Sequence, residues 1–222
     1  MKQKFSFEVT GKRKVNPDVE IPNECPICHS KVILSGPVTY NYRLVEQELQ
    51  VVFRCPDEAC KSLFIAYYDF DEGPDEIKFK QFRPNVPLKE QISENISNMA
   101  PQFILVYNQA LEATELGLTQ IAGPGFRKAF EFLIKDYAKS ITKATEHEKI
   151  EKTFSGNVVE ETISDPRIQA LAKRALWLGN DETHYLKKWK DHNLQDLISL
   201  IKLTLYWIEM EKLSENYTSD MT

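Results

Sequence analysis

Two short cysteine pairs decide the reading of the amino-terminal part of this chain: Cys25-Pro26-Ile27-Cys28 and, after 26 intervening residues, Cys55-Pro56-Asp57-Glu58-Ala59-Cys60. These are the four cysteines of the chain. Cysteines two to four residues apart converge on a tetrahedral cation without disturbing the chain on either side. The other reading is free or redox-active thiols. Between the pairs, Thr39-Tyr40-Asn41-Tyr42-Arg43-Leu44 and Leu49-Gln50-Val51-Val52-Phe53 alternate as a half-buried hairpin does. The expected unit is a zinc ribbon in which Cys25, Cys28, Cys55 and Cys60 hold a structural zinc, since four thiolates leave no open position for catalysis. His29 could replace one of the sulfurs, but its position directly after Cys28 favours a surface or outer-sphere role.

Working outward, strand patterning continues through Leu63-Phe64-Ile65-Ala66-Tyr67-Tyr68. It resumes after the turn Asp71-Glu72-Gly73-Pro74 in Ile77-Lys78-Phe79-Lys80-Gln81-Phe82. Arg83-Pro84-Asn85-Val86-Pro87 then breaks it, because proline fixes its own φ and disfavours helix at the residue before it. The expected fold is α+β. Residues 1–86 form a β-rich zinc ribbon with additional strands, and residues 87–222 form an all-α bundle.

From residue 88 the apolar period becomes helical. Phe103, Val106, Tyr107, Ala110, Leu111 and Thr114 make one stripe, preceded by capping residues in Ser97-Asn98-Met99-Ala100-Pro101 and stopped by Gly117. Phe126, Ala129, Phe130, Leu133, Ile134 and Tyr137 make a second, introduced by a turn at Ala122-Gly123-Pro124-Gly125. Glu146 to Thr153 reads as a short helix before a loop at Ser155-Gly156-Asn157. Asp165-Pro166 starts the third main helix, through Ile168, Leu171, Ala172, Ala175 and Leu176, with Gly179-Asn180 as its carboxy-terminal cap. Leu194, Leu197, Ile198, Ile201, Leu205 and Ile208 form the fourth, with a frayed tail after Leu213. Four amphipathic stripes bury one another as a bundle.

The chain has 222 residues, a net charge of -5 and 42% hydrophobic residues, which excludes disorder and a generally basic nucleic-acid coat. Phosphate binding is therefore local. The longest apolar run, Leu194 to Ile208, carries Asp196 and Lys202 and falls short of the ~18 uninterrupted residues of a membrane helix. No signal-peptide pattern follows the basic residues near Met1. A cytoplasmic protein with no membrane partner is expected.

The order of ribbon, proline break, Gly125-Phe126-Arg127-Lys128-Ala129-Phe130-Glu131 and Leu178-Gly179-Asn180-Asp181-Glu182-Thr183-His184 resembles a bacterial domain family of unknown function. That family is found alone and fused to restriction and defence proteins, and it is similar to the HEPN superfamily of helical domains. The resemblance implies a HEPN-like bundle, antiphage defence or stress biology, and a homodimer or a defence-complex partner. Active HEPN proteins are metal-independent endoribonucleases with an arginine, four to six intervening residues and then a histidine, often with a polar residue directly after the arginine. Histidine can accept the 2′-hydroxyl proton, and arginine can stabilise the attacked phosphate; the product is a 2′,3′-cyclic phosphate.

Here His184 matches the histidine and Asn180 the polar residue, while Gly179 stands at the arginine position. Arg127 and Arg174 are the candidate substitutes. Arg174 lies ten residues before His184, roughly 80° around an unbroken helix. The competing reading of Arg127 is an ion pair with Glu131 one turn along, and that of His184 is a packed turn residue. Lys187, Lys188, Trp189 and Lys190 offer charge and a stacking ring for RNA or another nucleic acid, or form a solvated face. Asp181 and Glu182 oppose phosphate beside His184. The readings are a ribonuclease, a noncatalytic RNA-binding effector, and a noncatalytic protein-interaction or regulatory subunit, with enzymatic activity undecided.

Overall fold

The computed structural model describes residues 2–4, 6–9, 13–15, 18–43, 47–70, 77–84, 86 and 92–221. The chain divides into two compact units, Met1–Leu88 and Lys89–Thr222.

In the first unit, two small antiparallel pairs precede the main sheet: β1 (Lys2–Lys4) with β4 (Asp18–Glu20), and β2 (Phe7–Val9) with β3 (Arg13–Val15). The main sheet is a four-stranded antiparallel meander, β5 (Thr39–Arg43), β6 (Glu48–Arg54), β7 (Leu63–Phe70) and β8 (Ile77–Arg83). Alternation sends Leu49, Val51 and Phe53 of β6 to one face, opposite Tyr68, Ala66 and Phe64 of β7. All six are at most 1% exposed, as the period-two pattern requires. The Tyr68 hydroxyl donates to the Glu20 carbonyl at 2.8 Å. Cys25 and Cys55 belong to the same core. The expected turn at Asp71-Glu72-Gly73-Pro74, and Leu44, Asn85 and Pro87, lie outside the described residues.

Among its described residues the second unit holds seven α-helices, α1 (Glu94–Met99), α2 (Pro101–Glu115), α3 (Thr119–Ser140), α4 (His147–Lys152), α5 (Ser155–Thr162), α6 (Pro166–Asp181) and α7 (Leu194–Asp220), with a turn of 3-10 helix at Ala144–Glu146 before α4. α3 touches each of the other six. Its buried stripe, including Ala122, Phe126, Ala129, Phe130, Leu133, Ile134 and Tyr137, is the centre of one apolar core. Gly117 stops α2 as expected, at φ 73°. The amides of Gly117 and Leu118 reach back to the carbonyls of Thr114 and Ala113, a left-handed closure that glycine adopts without strain.

α6 begins as its sequence predicts. Asp165 accepts from the amides of Arg167 at 2.7 Å and Ile168 at 3.2 Å. The Arg167 guanidinium, followed by those amides, holds the Asp165 carboxyl at about 2.

Five expectations are corrected. Ser97 to Met99 lie within α1, and α2 starts at Pro101 behind Ala100, which gives no side-chain cap. Ala122-Gly123-Pro124-Gly125 are not a turn but the second turn of α3. Ser155-Gly156-Asn157 open a helix, α5. Gly179-Asn180 do not cap α6, which runs on to Asp181 with Glu182 as its cap in helical geometry. The chain beyond Leu213 continues as α7 to Asp220. In three of these cases glycine marks a close approach or an open helix start, and local propensity was overridden by packing.

Candidate functional site

The four cysteine sulfurs lie within 4.8 Å of one another, with Cys28 to Cys55 at 3.8 Å and Cys25 to Cys60 at 4.0 Å. A tetrahedral ion with ~2.3 Å bonds to sulfur separates its ligands by ~3.8 Å, whereas a disulfide needs ~2.05 Å. The cluster therefore fits a tetrahedral cation.

The two knuckles share a design. The amide of the first cysteine donates to the carbonyl two residues beyond the second: Cys25 to Ser30 at 3.1 Å and Cys55 to Ser62 at 2.9 Å. The residue directly after the second cysteine is left-handed in both, His29 at φ 59° and Lys61 at φ 47°. The longer second pair occupies the β6–β7 hairpin loop. Its two extra residues are absorbed by Asp57, whose carboxylate accepts from the Ala59 amide at 2.9 Å and whose carbonyl accepts from Cys60 and Lys61. Ser30 donates to Asp57 at 3.2 Å, tying one knuckle to the other.

Burial pushes the Cys55 thiol up to about 12 and raises Cys25 as well, while hydrogen bonding from Ser30 pulls Cys28 down to about 6. His29 does not join the sulfur cluster; its Nδ1 lies 3.6 Å from a Glu24 carboxylate oxygen.

In the helical unit, Arg127 of α3 crosses α6 at Gly179. A β-carbon at residue 179 would stand 2.5 Å from Arg127 Cδ and 3.2 Å from its Cβ, well inside contact distance. Arg127 Nε then donates to Asn180 Oδ1 at 3.0 Å. Gly123 has the same role one turn earlier on α3, where a β-carbon would meet the Glu182 side chain at 2.7 Å.

Burial lowers the Arg127 pKa from its usual value, opposed by Glu131. The predicted pair with Glu131 is present but long, 3.8 Å from Nη1 to Oε2, and Glu131 is also 3.1 Å from Lys135. Nη1 itself is buried without a hydrogen bond.

Arg127, Asn180 and His184 line one cleft of about 470 Å³, together with Ser155, Lys173 and Trp177. Trp177, Asn180 and His184 also border a neighbouring cleft of about 550 Å³ lined by Tyr185, Lys188 and Trp189. His184 is exposed and sits on the shared wall, held through its amide by the Asn180 carbonyl at 3.1 Å. Trp177 and Trp189 stack at 5.5 Å and 10°, and Tyr185 is 99% exposed.

The remaining candidates fall elsewhere. Arg174 turns back to the Ala170 carbonyl at 2.7 Å and lines neither cleft. Lys187 pairs with Glu182 at 2.5 Å. Lys190 is exposed but also outside both clefts.

The two carboxylates expected to repel phosphate are engaged. Buried Asp181 accepts from the Trp189 amide at 2.6 Å, and Glu182 holds Lys187. Sequence reading missed Ser155, Lys173 and Trp177. The lysine and tryptophan are four and three residues apart from Trp177 and Asn180 on α6, a helical spacing that marks a shared face.

No family model, curated protein or solved structure matches this chain.

Because Arg127 needs an empty position at residue 179, Gly179→Ala is expected to expel its side chain and lower stability by about 1–3 kcal/mol. Thermal melting, together with the NMR signal of the Arg127 Nε–H, measures this. An unshifted Nε–H and an unchanged melting temperature would contradict the proposed close approach.

Proposed function

We propose that the helical unit is a HEPN-like RNA-binding domain that cleaves RNA without a metal at the reacting phosphate, serving bacterial defence or stress. The observation that carries this reading is the convergence of Arg127, Asn180 and His184 on one cleft, with Arg127 supplying from α3 the cation absent at Gly179.

In this mechanism His184 accepts the 2′-hydroxyl proton and the 2′-oxygen attacks the adjoining phosphorus. The bond from phosphorus to the 5′-oxygen breaks, a 2′,3′-cyclic phosphate forms, and the departing 5′-oxygen takes a proton from water. Arg127 faces the charge that grows on the phosphate oxygens, and Asn180 keeps its guanidinium in place. The stacked Trp177 and Trp189 with Lys188 give the neighbouring bases a platform.

Leu116, Leu118 and Ile121 are about half exposed or more around the α2–α3 turn. They favour a second protein on that surface, consistent with a homodimer or a defence-complex partner, and would serve equally a noncatalytic interaction subunit.

Incubated with single-stranded RNA in divalent-free buffer, the chain is expected to produce fragments ending in cyclic phosphate. His184→Ala should lower the rate at least ~100-fold. Cleavage unaffected by that substitution removes His184 from the mechanism, and salt-sensitive binding without turnover assigns the unit a binding role.

For the first unit we propose that the four cysteines hold one structural zinc ion, making it a zinc ribbon. The sulfur spacings support this, as do the paired knuckles. One zinc per chain should be found by elemental analysis, and cobalt substitution should give the absorption of a four-sulfur tetrahedral site. Cys55→Ser should lose both the metal and the cooperative melting of the sheet. A protein isolated with two disulfides and no metal would refute the assignment.

A further inference from the structure

We propose that the first turn of α5, together with the Ser155 hydroxyl and the Arg127 guanidinium, is a subsite for a nucleotide phosphate. The proposal deepens the RNA reading and rests on it for the identity of the ligand, but its geometry makes no use of His184.

Three independent features meet there. First, α5 opens at Ser155 behind Phe154, which provides no capping side chain. The Val158 amide reaches the Phe154 carbonyl at 3.1 Å, so the amides of Ser155, Gly156 and Asn157 precede the intrahelical ladder. An uncapped helix start concentrates donors and positive potential. Where a β-carbon would extend from Gly156 there is no atom within 4 Å, which leaves room for an oxygen to approach the backbone.

Second, Ser155 is only 3% exposed, lines the cleft, and its Oγ has no hydrogen-bond partner. A buried hydroxyl without a partner is costly, and the residue that carries this one is part of the cleft lining.

Third, Arg127 lines the same cleft, and its Nη1, 3.8 Å from a Glu131 carboxylate oxygen, is buried without a hydrogen bond. Lys173 adds a second cation, 2.9 Å from Glu160. Glu160 is the one carboxylate in the lining among the described residues, and it is largely exposed.

A tetrahedral oxyanion satisfies all three at once, with its oxygens shared among the amides, the Ser155 hydroxyl and the guanidinium. Phe154 and Trp177 border the cleft, and Phe154 is 85% exposed, so a base attached to that phosphate finds a ring to lie on. The phosphate could belong to a 5′ chain terminus or to the backbone of the strand; the chemistry of recognition is the same.

The test uses the full chain, labelled with ¹⁵N. Inorganic phosphate is titrated first, followed by a short single-stranded RNA carrying either a 5′-phosphate or a 5′-hydroxyl. The amide signals of Ser155, Gly156 and Asn157 are expected to move in every titration. Ser155→Ala should weaken phosphate binding by about three- to tenfold, and Arg127→Gln by about tenfold. Tighter binding of the 5′-phosphorylated RNA assigns the subsite to a chain terminus, and equal binding assigns it to an internal phosphodiester. Amides that stay in place, or affinities that ignore both substitutions, overturn the proposal. Phosphate binding at α5 with no RNA cleavage leaves the subsite standing and fails the cleavage reading; cleavage without any movement of these amides fails the subsite alone.

Discussion

Arg127 lies across α6 where Gly179 leaves no side chain, and its Nε–H ends on Asn180 at 3.0 Å. The helical unit's candidate chemistry depends on this crossing. A guanidinium withdrawn from water needs hydrogen bonds in place of those it gives up, each worth about 1.5–3 kcal/mol when a charge is involved. Asn180 supplies one. The long approach to Glu131 supplies little directed bonding, and Nη1 makes no hydrogen bond. The cation is thus held in direction by Asn180 while one of its nitrogens makes no hydrogen bond.

The other helices serve this placement. α3 is the hub and brings Arg127 to the surface of the core. α6, started by the Asp165 cap, aligns Lys173, Trp177 and Asn180 along one face. α5 delivers Ser155 and its uncapped amides to the same cleft. The segment after α6 is pinned by the Asp181 bond to the Trp189 amide, which sets Trp189 against Trp177 and leaves His184 on the wall between two clefts. In the first unit the corresponding constraint is the sulfur cluster. It closes the β6–β7 hairpin at Cys55 and Cys60, and Ser30 with Asp57 joins that loop to the other knuckle.

Much of the architecture was legible in the residues. The two cysteine pairs located the knuckles, the period-two runs located β5 to β8, and the helical stripes located α2, α3, α6 and α7, because burial on one face imposes those periods. Gly117 was read correctly as a stop, since a left-handed closure is a local requirement. Gly123, Gly125 and Gly179 were misread as turn residues because their reason is not local. It lies in Glu182, Ala110 and Arg127, which approach from other parts of the chain. For the same reason Arg127 emerged only as one of two candidates, and it is Arg127 rather than Arg174 that shares a cleft with Asn180 and His184. Ser155 was invisible in sequence, because an unpartnered hydroxyl is a property of its surroundings.

In the proposed mechanism Arg127 and Asn180 act as one phosphate-binding unit. A double-mutant cycle on single-stranded RNA affinity tests it most directly, using Arg127→Gln, Asn180→Ala and the combined variant at fixed salt. If the unit exists, Asn180→Ala weakens binding when Arg127 is present and has little further effect once it is replaced, giving a coupling of about 0.5–3 kcal/mol. Strictly additive losses, or an Arg127→Gln variant that binds as the parent does, would contradict the account.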